Sequence, residues 1–526
     1  MFRLIRVVRQ YSIEPKLFLT FTWNIYLFCM KAAIYFLTMF ILLLISSLSR
    51  AQIYTWTQIG NDILGDTAGD YSGNDVAISG DGKTVAAGSY LHNSQGGQVR
   101  VFEWDSTAWL QKGLSLDAGK PAVRFGHSVA LSQDGNILAV GIPNYYDSLG
   151  NEGQVRVFEW DSSAWVQMGA GIYGESGVGG SFGADVALSA DGNTLAVGDY
   201  ENMGNDTLSG STRVFEWSGT AWVQKGQDLD GEAKNDYSGW AVAMSADGAT
   251  VIIGATGNDG TGPEAGHARV YEWADTLWIQ KGTDLDGESA GDFAGQSVTT
   301  DDSGNVVAFG ARFNTGQFPG GGHVRVFYWS GTSWVQKGYD IDGEAVNDQS
   351  GWAIDLSGNG NIIAIGAMFN NSTAGHARVF FLDLSFNWNQ LGAADIDGDS
   401  ALDRLGGAVS LSDDGLHLAI GATENDDAGT DAGQVKVFQG SFIEFRNSDL
   451  IPFRVYPNPA NGSIFCQRVV SGLAWYHIYD MNGKQVLFGK SSDEIIAIDM
   501  SDQPAGIYLL KLNDENTVRT ARIIRY

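Results

Sequence analysis

An acidic nine-residue pattern occurs four times in the chain and is its clearest candidate for chemistry. The copies are "DLDGEAKND", "DLDGESAGD", "DIDGEAVND" and "DIDGDSALD", with carboxylates at positions 1, 3, 5 and 9. Calcium takes roughly six to eight oxygen ligands, and acidic loops supply them in many proteins. The pattern therefore predicts calcium ligands at Asp228, Asp230, Glu232, Asp236, Asp284, Asp286, Glu288, Asp292, Asp340, Asp342, Glu344, Asp348, Asp395, Asp397, Asp399 and Asp403.

The same pattern has a second interpretation, in which it is only an acidic turn. Asp and Gly are good turn formers, and near-identical loops also arise when a repeat is duplicated. The glycine, Gly231 in the first copy, stands at position 4, whereas the EF-hand loop has its glycine at position 6. A related form, with Asp62, Asp66 and Asp70, precedes the first repeat. Calcium loop and acidic turn both remain open on the sequence alone.

The acidic pattern belongs to a larger repeat with three markers. A Trp-x-Gln-x-Gly signature starts at Trp56, Trp109, Trp165, Trp222, Trp278, Trp334 and Trp388. A "VFEW"-like strand and a "SADG"-like turn recur with the same spacing, separated by short alternating apolar runs. Four strands per repeat are typical of a propeller blade. We therefore predict an all-β fold, a seven-bladed β-propeller over residues 52–444.

The order of the markers also predicts how the ring closes. The first marker, at Trp56, belongs to a fourth strand, whereas the last, "VKVFQG", is a third strand. The N-terminal strand is therefore expected to complete the last blade, which leaves no unpaired sheet edge between the two ends.

The loops separate into a short-loop face and a long-loop face. In a four-stranded antiparallel blade, the connection from strand 2 to 3 and the connection from strand 4 to the next strand 1 share one face. Those connections are the long ones and include the acidic loops. Function in such scaffolds concentrates on long loops held by rigid strands, so this face is the predicted binding surface.

Three histidines occupy one repeat position at the start of strand 3. They are His267, His323 and His376, and Gln98, Gln154 and Gln434 occupy the position elsewhere. Side chains placed in this way are spread around the ring and do not converge on one ion. We therefore predict a shared hydrogen-bonding role for them.

The segment "FGHSVALSQDGNILAVGIP", residues 125–143, resembles the FG-GAP repeat of integrin alpha subunits and bacterial surface proteins. The other repeats keep weaker forms, such as "YSGWAVAMSADGATVIIGA". The resemblance implies a propeller. In integrins the calcium loop lies between the FG and GAP elements, where this chain has only a short turn. The metal residues of that family are therefore not carried over.

After a linker at 445–452, the C-terminal segment 453–526 contains "VYPNP", "IYDMNGKQV" and "PAGIYLLKL". Alternating strands around an Asn-Gly turn predict a small β-sandwich. The segment resembles the C-terminal sorting domain of the type IX secretion system, with motif positions Tyr456, Pro457, Asn458, Pro459, Asp480, Gly483, Gly506 and Tyr508. The resemblance implies secretion machinery as a partner and a location outside, or on the outer surface of, a Gram-negative bacterium. An ordinary adhesive sandwich is the alternative.

The N-terminal region has the pattern of a secretory signal at residues 30–51. It has a basic start, an apolar run and small residues before an expected cleavage between Ala51 and Gln52. Residues 1–29 are interpreted as an extension from a misplaced start codon, and an uncleaved membrane anchor is the alternative. Neither apolar run reaches the ~20 residues of a spanning helix, so we expect surface attachment rather than membrane spanning.

Composition limits the remaining function classes. A formal charge of −29 disfavours binding to nucleic acid or anionic membranes. Two cysteines, Cys29 and Cys466, cannot build a disulfide framework. The sequence contains no nucleophile elbow, phosphate loop, HExxH or CxxC motif.

These observations predict a monomeric, non-enzymatic propeller, secreted or displayed on the cell surface, that binds an extracellular protein or glycan in an adhesion-like role. The cofactor is calcium or none. Two alternatives remain: a hydrolase or lyase acting on extracellular polysaccharide, and a structural component of the cell surface or gliding apparatus.

Overall fold

The computed structural model describes residues 53–146, 152–175, 180–383, 385–392, 394–443, 454–456, 462–467, 474–480, 484–493, 495–514 and 517–525. The chain divides into two compact units, residues 1–443 and residues 444–526. Both units are built almost entirely from antiparallel strands. The predicted signal and cleavage site, the linker, and Pro457, Asn458, Pro459 and Gly483 lie outside the described residues.

The first unit contains strands β1 to β35. The first half of them comprises β1 (Ile53–Gln58), β2 (Ile63–Leu64), β3 (Val76–Ile78), β4 (Thr84–Ser89), β5 (Gln98–Trp104), β6 (Trp109–Gln111), β7 (Leu116–Asp117), β8 (Val129–Leu131), β9 (Ile137–Tyr146), β10 (Glu152–Trp160), β11 (Trp165–Gln167), β12 (Ile172–Tyr173), β13 (Asp185–Leu188), β14 (Thr194–Asp199), β15 (Ser211–Trp217), β16 (Trp222–Gln224) and β17 (Leu229–Asp230). The second half comprises β18 (Ser238–Met244), β19 (Thr250–Ala255), β20 (His267–Ala274), β21 (Leu277–Gln280), β22 (Leu285–Asp286), β23 (Ala294–Thr300), β24 (Val306–Ala311), β25 (His323–Trp329), β26 (Trp334–Gln336), β27 (Ile341–Asp342), β28 (Ala353–Leu356), β29 (Ile362–Ala367), β30 (His376–Leu382), β31 (Trp388–Gln390), β32 (Ile396–Asp397), β33 (Leu405–Leu411), β34 (His417–Ala422) and β35 (Gln434–Ile443).

These strands form seven five-stranded sheets, which are the blades of a β-propeller. Blade 1 runs β3-β4-β5-β6, and blades 2 to 6 follow in chain order. Blade 7 runs β33-β34-β35-β1, with Ile53 opposite Ile443 and Gln58 opposite Phe438. The predicted fold class and the closure of the ring by the N-terminal strand are confirmed.

Each blade also has a short fifth strand that the repeat pattern did not reveal. It consists of two residues in the connection from strand 4 to the next blade and pairs with the start of strand 3. Leu285 and Asp286, for example, pair with Ala268 and His267. Four of these fifth strands are positions 2 and 3 of the acidic pattern, so the backbone of those loops is fixed by ladder hydrogen bonds.

The apolar core lies between neighbouring blades. One cluster joins Val99 and Val101 of blade 1 to Phe125, Leu138 and Phe158 of blade 2, all of them buried. Fully burying such side chains contributes about 1.5–3 kcal/mol each. Parallel bridges such as Gly97 to Phe125 connect every blade to the next. The ring is therefore stabilised at each interface.

The signature tryptophans supply a second set of contacts between blades. Each indole Nε1 donates to a backbone carbonyl of the preceding blade. The pairs are Trp56 to Leu391, Trp109 to Ile59, Trp165 to Lys112, Trp222 to Met168, Trp278 to Lys225, Trp334 to Lys281 and Trp388 to Lys337, at 2.6–3.2 Å. The acceptor is in each case the residue before the glycine of the Trp-x-Gln-x-Gly signature. The repeat signature therefore encodes the contact between blades.

The second unit contains two antiparallel sheets. One has the order β36 (Arg454–Tyr456), β37 (Ser463–Gln467) and β40 (Ile495–Asp499). The other has the order β39 (Gln485–Ser491), β38 (Ala474–Asp480), β41 (Gly506–Asp514) and β42 (Thr517–Arg525). Their shared core includes Ile464, Ile478, Ile498, Leu510 and Ile523, each at most 1% exposed. This is the predicted small β-sandwich.

Helix is confined to two four-residue segments of the described chain, α1 (His92–Gln95) and α2 (Asn370–Thr373). Each contains residues with positive φ, such as Asn93 and Asn371, and forms a tight turn between strands 2 and 3. In the described residues, no helix has the length and apolar character needed to cross a membrane.

Candidate functional site

The acidic loops lie on the long-loop face, and the four carboxylates of one loop have different partners. The position 1 carboxylate accepts a hydrogen bond from the glutamine of the preceding Trp-x-Gln-x-Gly signature. The pairs are Gln58 with Asp62, Gln224 with Asp228, Gln280 with Asp284, Gln336 with Asp340 and Gln390 with Asp395, at 2.5–2.7 Å. Position 1 is therefore held by its own blade.

The position 9 carboxylate closes the loop from inside. Asp236 is 2% exposed, and its Oδ2 accepts the backbone N–H groups of Glu232 and Ala233 at 3.1 and 2.8 Å. Equivalent bonds are made by Asp70, Asp292, Asp348 and Asp403. A buried carboxylate saturated in this way is a structural cap of the turn.

The position 5 carboxylate lies near a cation of strand 3. Glu232 is 3.6 Å from Arg269, Glu288 is 3.8 Å from Arg325 and Glu344 is 3.1 Å from Arg378. The same arginines also donate to position 3 carbonyl oxygens, as Arg269 does to Asp230 at 2.7 Å. Each arginine therefore contacts a position 5 carboxylate and a position 3 carbonyl oxygen. In a calcium loop, groups of this kind would coordinate the ion.

The four carboxylates of one loop consequently do not converge on a common position. Position 1 binds a glutamine, position 3 lies in the fifth strand, position 5 faces an arginine and position 9 is buried as a cap. This arrangement is what the acidic-turn interpretation requires. Calcium bound within a single loop stays a prediction without a converged ligand set.

Carboxylates of consecutive loops, in contrast, meet around the histidines of strand 3. One group of carboxylates within 4.8 Å of one another, Asp62, Asp399 and Asp427, contains no histidine. Three groups that contain a histidine also have ligand atoms within 4.8 Å of one another: Glu232, His267 and Asp284; Glu288, His323 and Asp340; Glu344, His376 and Asp395. In each group the glutamate is position 5 of one loop and the aspartate is position 1 of the next. We call these groups the inter-loop clusters.

The histidines of the clusters are buried and electrically neutral at pH 7. Each is 1% exposed. Burial lowers the pKa of His267 and of His323 to about 4 and also lowers the pKa of His376, with the neighbouring arginines acting in the same direction. Burial raises the pKa of Glu232 and of Glu344, opposed by Arg269 and Arg378. A neutral imidazole beside carboxylates is the protonation state of a metal ligand.

The predicted hydrogen-bonding role of these histidines is not what the structure shows. Both ring nitrogens of His267 and of His376, and Nε2 of His323, are buried without a hydrogen-bond partner among the described residues. The prediction was right that the rings are spread around the propeller. The prediction did not include the carboxylates of two different loops that each ring faces. Those loops are far apart in sequence and are brought together only by the packing of the blade.

The central channel is lined by the innermost strands of all seven blades and encloses about 390 Å³. Three aspartates of its wall join neighbouring blades: Asp75 accepts the N–H of Val129, Asp185 that of Val242 and Asp355 that of Leu411, at 2.6–2.7 Å. Burial raises their pKa values to about 7, 8 and 6.

Aromatic and arginine side chains surround the channel mouth on the long-loop face. Tyr200 lies 4.8 Å from Trp240, and Trp352 lies 5.6 Å from Phe369, measured between ring centroids. Arg312 stacks over Trp352 at 4.7 Å. We call these five residues, with Tyr90, Arg124 and Arg404, the aromatic rim. All are half-buried. Sequence reasoning missed the rim, although Trp240 and Trp352 stand outside the repeat's tryptophan positions and were a usable signal.

Family comparisons agree with both halves of the sequence interpretation. The FG-GAP repeat family matches residues 228–271, and the family described as a secretion system C-terminal sorting domain matches residues 454–525. The predicted resemblance to an FG-GAP repeat and to a sorting domain is thereby confirmed. The sorting domain indicates export to a secreted or cell-surface location. The comparison with curated proteins found no match.

Several solved structures are similar to this chain at low sequence identity and with TM-scores below 0.5. A candidate 6-phosphogluconolactonase from Bacteroides uniformis is 12% identical, with a TM-score of 0.46, over 84% of this chain and 99% of that one. Sqt1 from Chaetomium thermophilum is 16% identical, with a TM-score of 0.43, over 73% and 91%. An oligogalacturonate lyase in complex with manganese is 9% identical, with a TM-score of 0.43, over 73% and 98%.

In the sorting domain, the described motif residues occupy strand ends. Tyr456 ends β36 and Asp480 ends β38, where its carboxylate accepts the N–H of Lys484 at 2.9 Å. Gly506 begins β41, and the Tyr508 hydroxyl donates to the carbonyl of Pro504 at 2.7 Å. These contacts fix the sandwich, and they leave the roles of the individual motif residues in sorting as predictions.

Proposed function

We propose that this exported propeller binds an extracellular glycan or protein on its long-loop face, with the aromatic rim as the contact surface. The observation that carries the proposal is the placement of Trp240, Trp352 and Arg312 around the channel mouth, outside the tryptophan positions of the repeat. Trp240 also packs partly against the apolar cluster between blades 4 and 5. Ligand sites combine aromatic surfaces with a few placed polar groups in a concave opening.

The chemistry of the rim favours a glycan. Half-buried aromatic faces stack on the apolar faces of sugar rings, and arginines bind hydroxyl and carboxylate oxygens of acidic sugars. The protein is strongly acidic overall, and Arg124 and Arg312 place positive charge at the mouth, whereas Arg404 is paired with Glu424 at 3.1 Å. The rim is therefore the part of the long-loop face where an anionic polysaccharide can bind.

The test is saturable binding of the purified full chain to a panel of neutral and acidic polysaccharides. The double variant Trp240→Ala and Trp352→Ala should lose at least ~10-fold in affinity, since such aromatic contacts contribute about 1–3 kcal/mol. The matched control is Trp475→Ala, a 43% exposed tryptophan of the sorting domain. Equal binding by all three proteins would contradict the proposal.

The same experiment separates the other function classes. Cleavage of a polysaccharide during the assay would favour the hydrolase or lyase alternative. Self-association of the chain without ligand, measured by sedimentation, would favour a structural component. Calcium in the acidic loops stays a separate prediction, which calorimetric titration with calcium after chelation addresses.

The sorting role has its own test. A chain without residues 453–526 should accumulate in the cell and be lost from the outer surface, as measured by surface labelling. Unchanged display of the shortened chain would make the sandwich an ordinary adhesive domain.

A further inference from the structure

We propose that each inter-loop cluster binds a divalent transition-metal ion of the zinc type, so that the propeller carries three such ions between blades 4 and 7. The ligands would be a glutamate of one acidic loop, the histidine that opens strand 3, and the first aspartate of the next loop. This site differs from the calcium hypothesis, because its ligands come from three separate segments and include nitrogen.

The first argument is the state of the imidazoles. His267 and His376 are 1% exposed, and neither ring nitrogen has a hydrogen-bond partner among the described residues. A buried polar group without a hydrogen-bond partner destabilises the folded chain. The same feature recurs at the same position of separate blades, which indicates a partner common to all of them.

The second argument is distance. Nδ1 of His376 is 3.5 Å from Asp395 Oδ2, and Nδ1 of His267 is 3.8 Å from Asp284 Oδ2. Both separations are longer than a normal hydrogen bond. Two ligands bound to one zinc ion at about 2.1 Å each lie about 3.4 Å apart in a tetrahedral site. Small side-chain movements would therefore bring these atoms to an ion.

The third argument is charge. Around His267 lie the carboxylates of Glu232, Asp284 and Asp286, the last at 3.9 Å from Nδ1. The guanidinium of Arg269 lies 3.6 Å from Glu232. Three carboxylates and one guanidinium leave two formal negative charges around the imidazole. A divalent cation balances that charge.

Blade 7 provides an internal comparison. Its equivalent carboxylates are Asp399, at position 5, and Asp62, at position 1 of the following loop, and the histidine is replaced by Gln434. Here the arginine is replaced by Lys436, whose ammonium lies 2.6 Å from Asp399 and 3.6 Å from Asp62. In blade 7 the lysine therefore binds both carboxylates. In blade 5, Arg325 also lies near both, at 3.8 Å from Glu288 and 3.7 Å from Asp340. In blades 4 and 6 the arginine lies near the glutamate, at 3.6 Å for Arg269 and 3.1 Å for Arg378.

The ligand set favours zinc-type ions over calcium. Imidazole suits zinc, copper, iron and nickel, whereas calcium and magnesium prefer oxygen alone. A cluster with one nitrogen and two or three carboxylate oxygens is a mixed site that first-row divalent ions bind.

The test is a titration of the full chain, purified without a polyhistidine tag and stripped by chelation. Calorimetry with Zn²⁺ should give three ions per chain, and Co²⁺ should give the visible absorption of a nitrogen- and oxygen-bound ion. Each single change His267→Gln, His323→Gln or His376→Gln should reduce the count by one, and the triple variant should bind none.

Glutamine is the matched substitution, because Gln98, Gln154 and Gln434 occupy the same position in blades 1, 2 and 7 and are buried there. Circular dichroism of the metal-free variants should be unchanged. His477→Gln, on the sorting domain, should keep all three ions. Glu232→Gln, in an exposed loop, tests blade 4 without altering a buried ring and should weaken one site at least ~10-fold.

Two results would overturn the proposal. One is Zn²⁺ binding that is unchanged in the triple histidine variant, and the other is a chain that binds Ca²⁺ but no Zn²⁺ or Co²⁺. Neither result depends on the glycan assay. The metal-site proposal and the glycan-binding proposal can therefore be refuted independently.

Discussion

Replacing Trp278 by phenylalanine tests whether the signature tryptophans hold neighbouring blades together by their indole N–H groups. Trp278 is 2% exposed, and its Nε1 donates to the carbonyl of Lys225 in the preceding blade at 2.7 Å. Phenylalanine keeps most of the apolar contact but removes the donor, so a buried carbonyl loses its hydrogen bond. The free energy of unfolding should fall by about 1–3 kcal/mol.

Trp222 is the matched comparison. It makes the same bond to Met168, but at 3.2 Å and from a half-buried ring. Water can replace the lost donor there, so Trp222→Phe should lower the free energy of unfolding by less, about 0.5–1 kcal/mol. Urea unfolding followed by far-UV circular dichroism measures both losses from the midpoint and slope. Equal losses, or a loss at Trp278 below ~0.5 kcal/mol, would refute the inferred role of the bond.

Three further outcomes are expected. Burial raises the pKa values of Asp75, Asp185 and Asp355 to about 7, 8 and 6, so their contribution to the free energy of unfolding falls as pH rises through these values. The buried histidines, whose pKa values are lowered, contribute with the opposite sign below about pH 6.5. Above about pH 7 the aspartates dominate, and the free energy of unfolding should fall as pH rises to about 8. Thermal melts at several pH values check this, and the triple Asp→Asn variant should show a flatter dependence. Deleting residues 53–58 removes the fourth strand of blade 7 and should give a chain that elutes as aggregates in size-exclusion chromatography, unlike the full chain. Gly239→Ala should be strongly destabilising because φ is +86° and the new Cβ would lie within 3.0 Å of two backbone atoms, whereas Gly219→Ala, at φ +90° with open space, measures the conformational strain alone in the same melting assay.

The architecture could be predicted because its determinants are local and repeated. The Trp-x-Gln-x-Gly signature fixes both the end of strand 4 and the contact with the previous blade, so counting it gave the number of blades and the closure by the first strand. The two-residue fifth strands escaped prediction, since a pair such as Leu285 and Asp286 has no detectable periodicity. Those strands set the position of the acidic loops.

The candidate sites were less predictable because they depend on residues far apart in sequence. Glu232, His267 and Asp284 lie on three segments that only the stacking of strands 1 to 4 brings together. The spacing inside one loop suggested a single ion, whereas the structure directs its acids to a glutamine, an arginine and the loop's own backbone. A better sequence signal was the coincidence of histidine at strand 3 with the acidic pattern on both sides, which occurs in blades 4, 5 and 6.

The long-loop face can vary from blade to blade because the contacts that hold the ring together lie elsewhere. The indole bonds join the outer strand 4 to the previous blade, and the apolar clusters fill the space between the sheets. The residue that opens strand 3 is histidine, glutamine or serine with the same backbone pairing, as His267 with Asp286 and Ser211 with Asp230 show. Substitutions there change which groups face the gap between loops without changing the register of the sheet. A repeat of this kind can therefore hold an ion in some blades and a lysine in another, while every blade keeps the same fold.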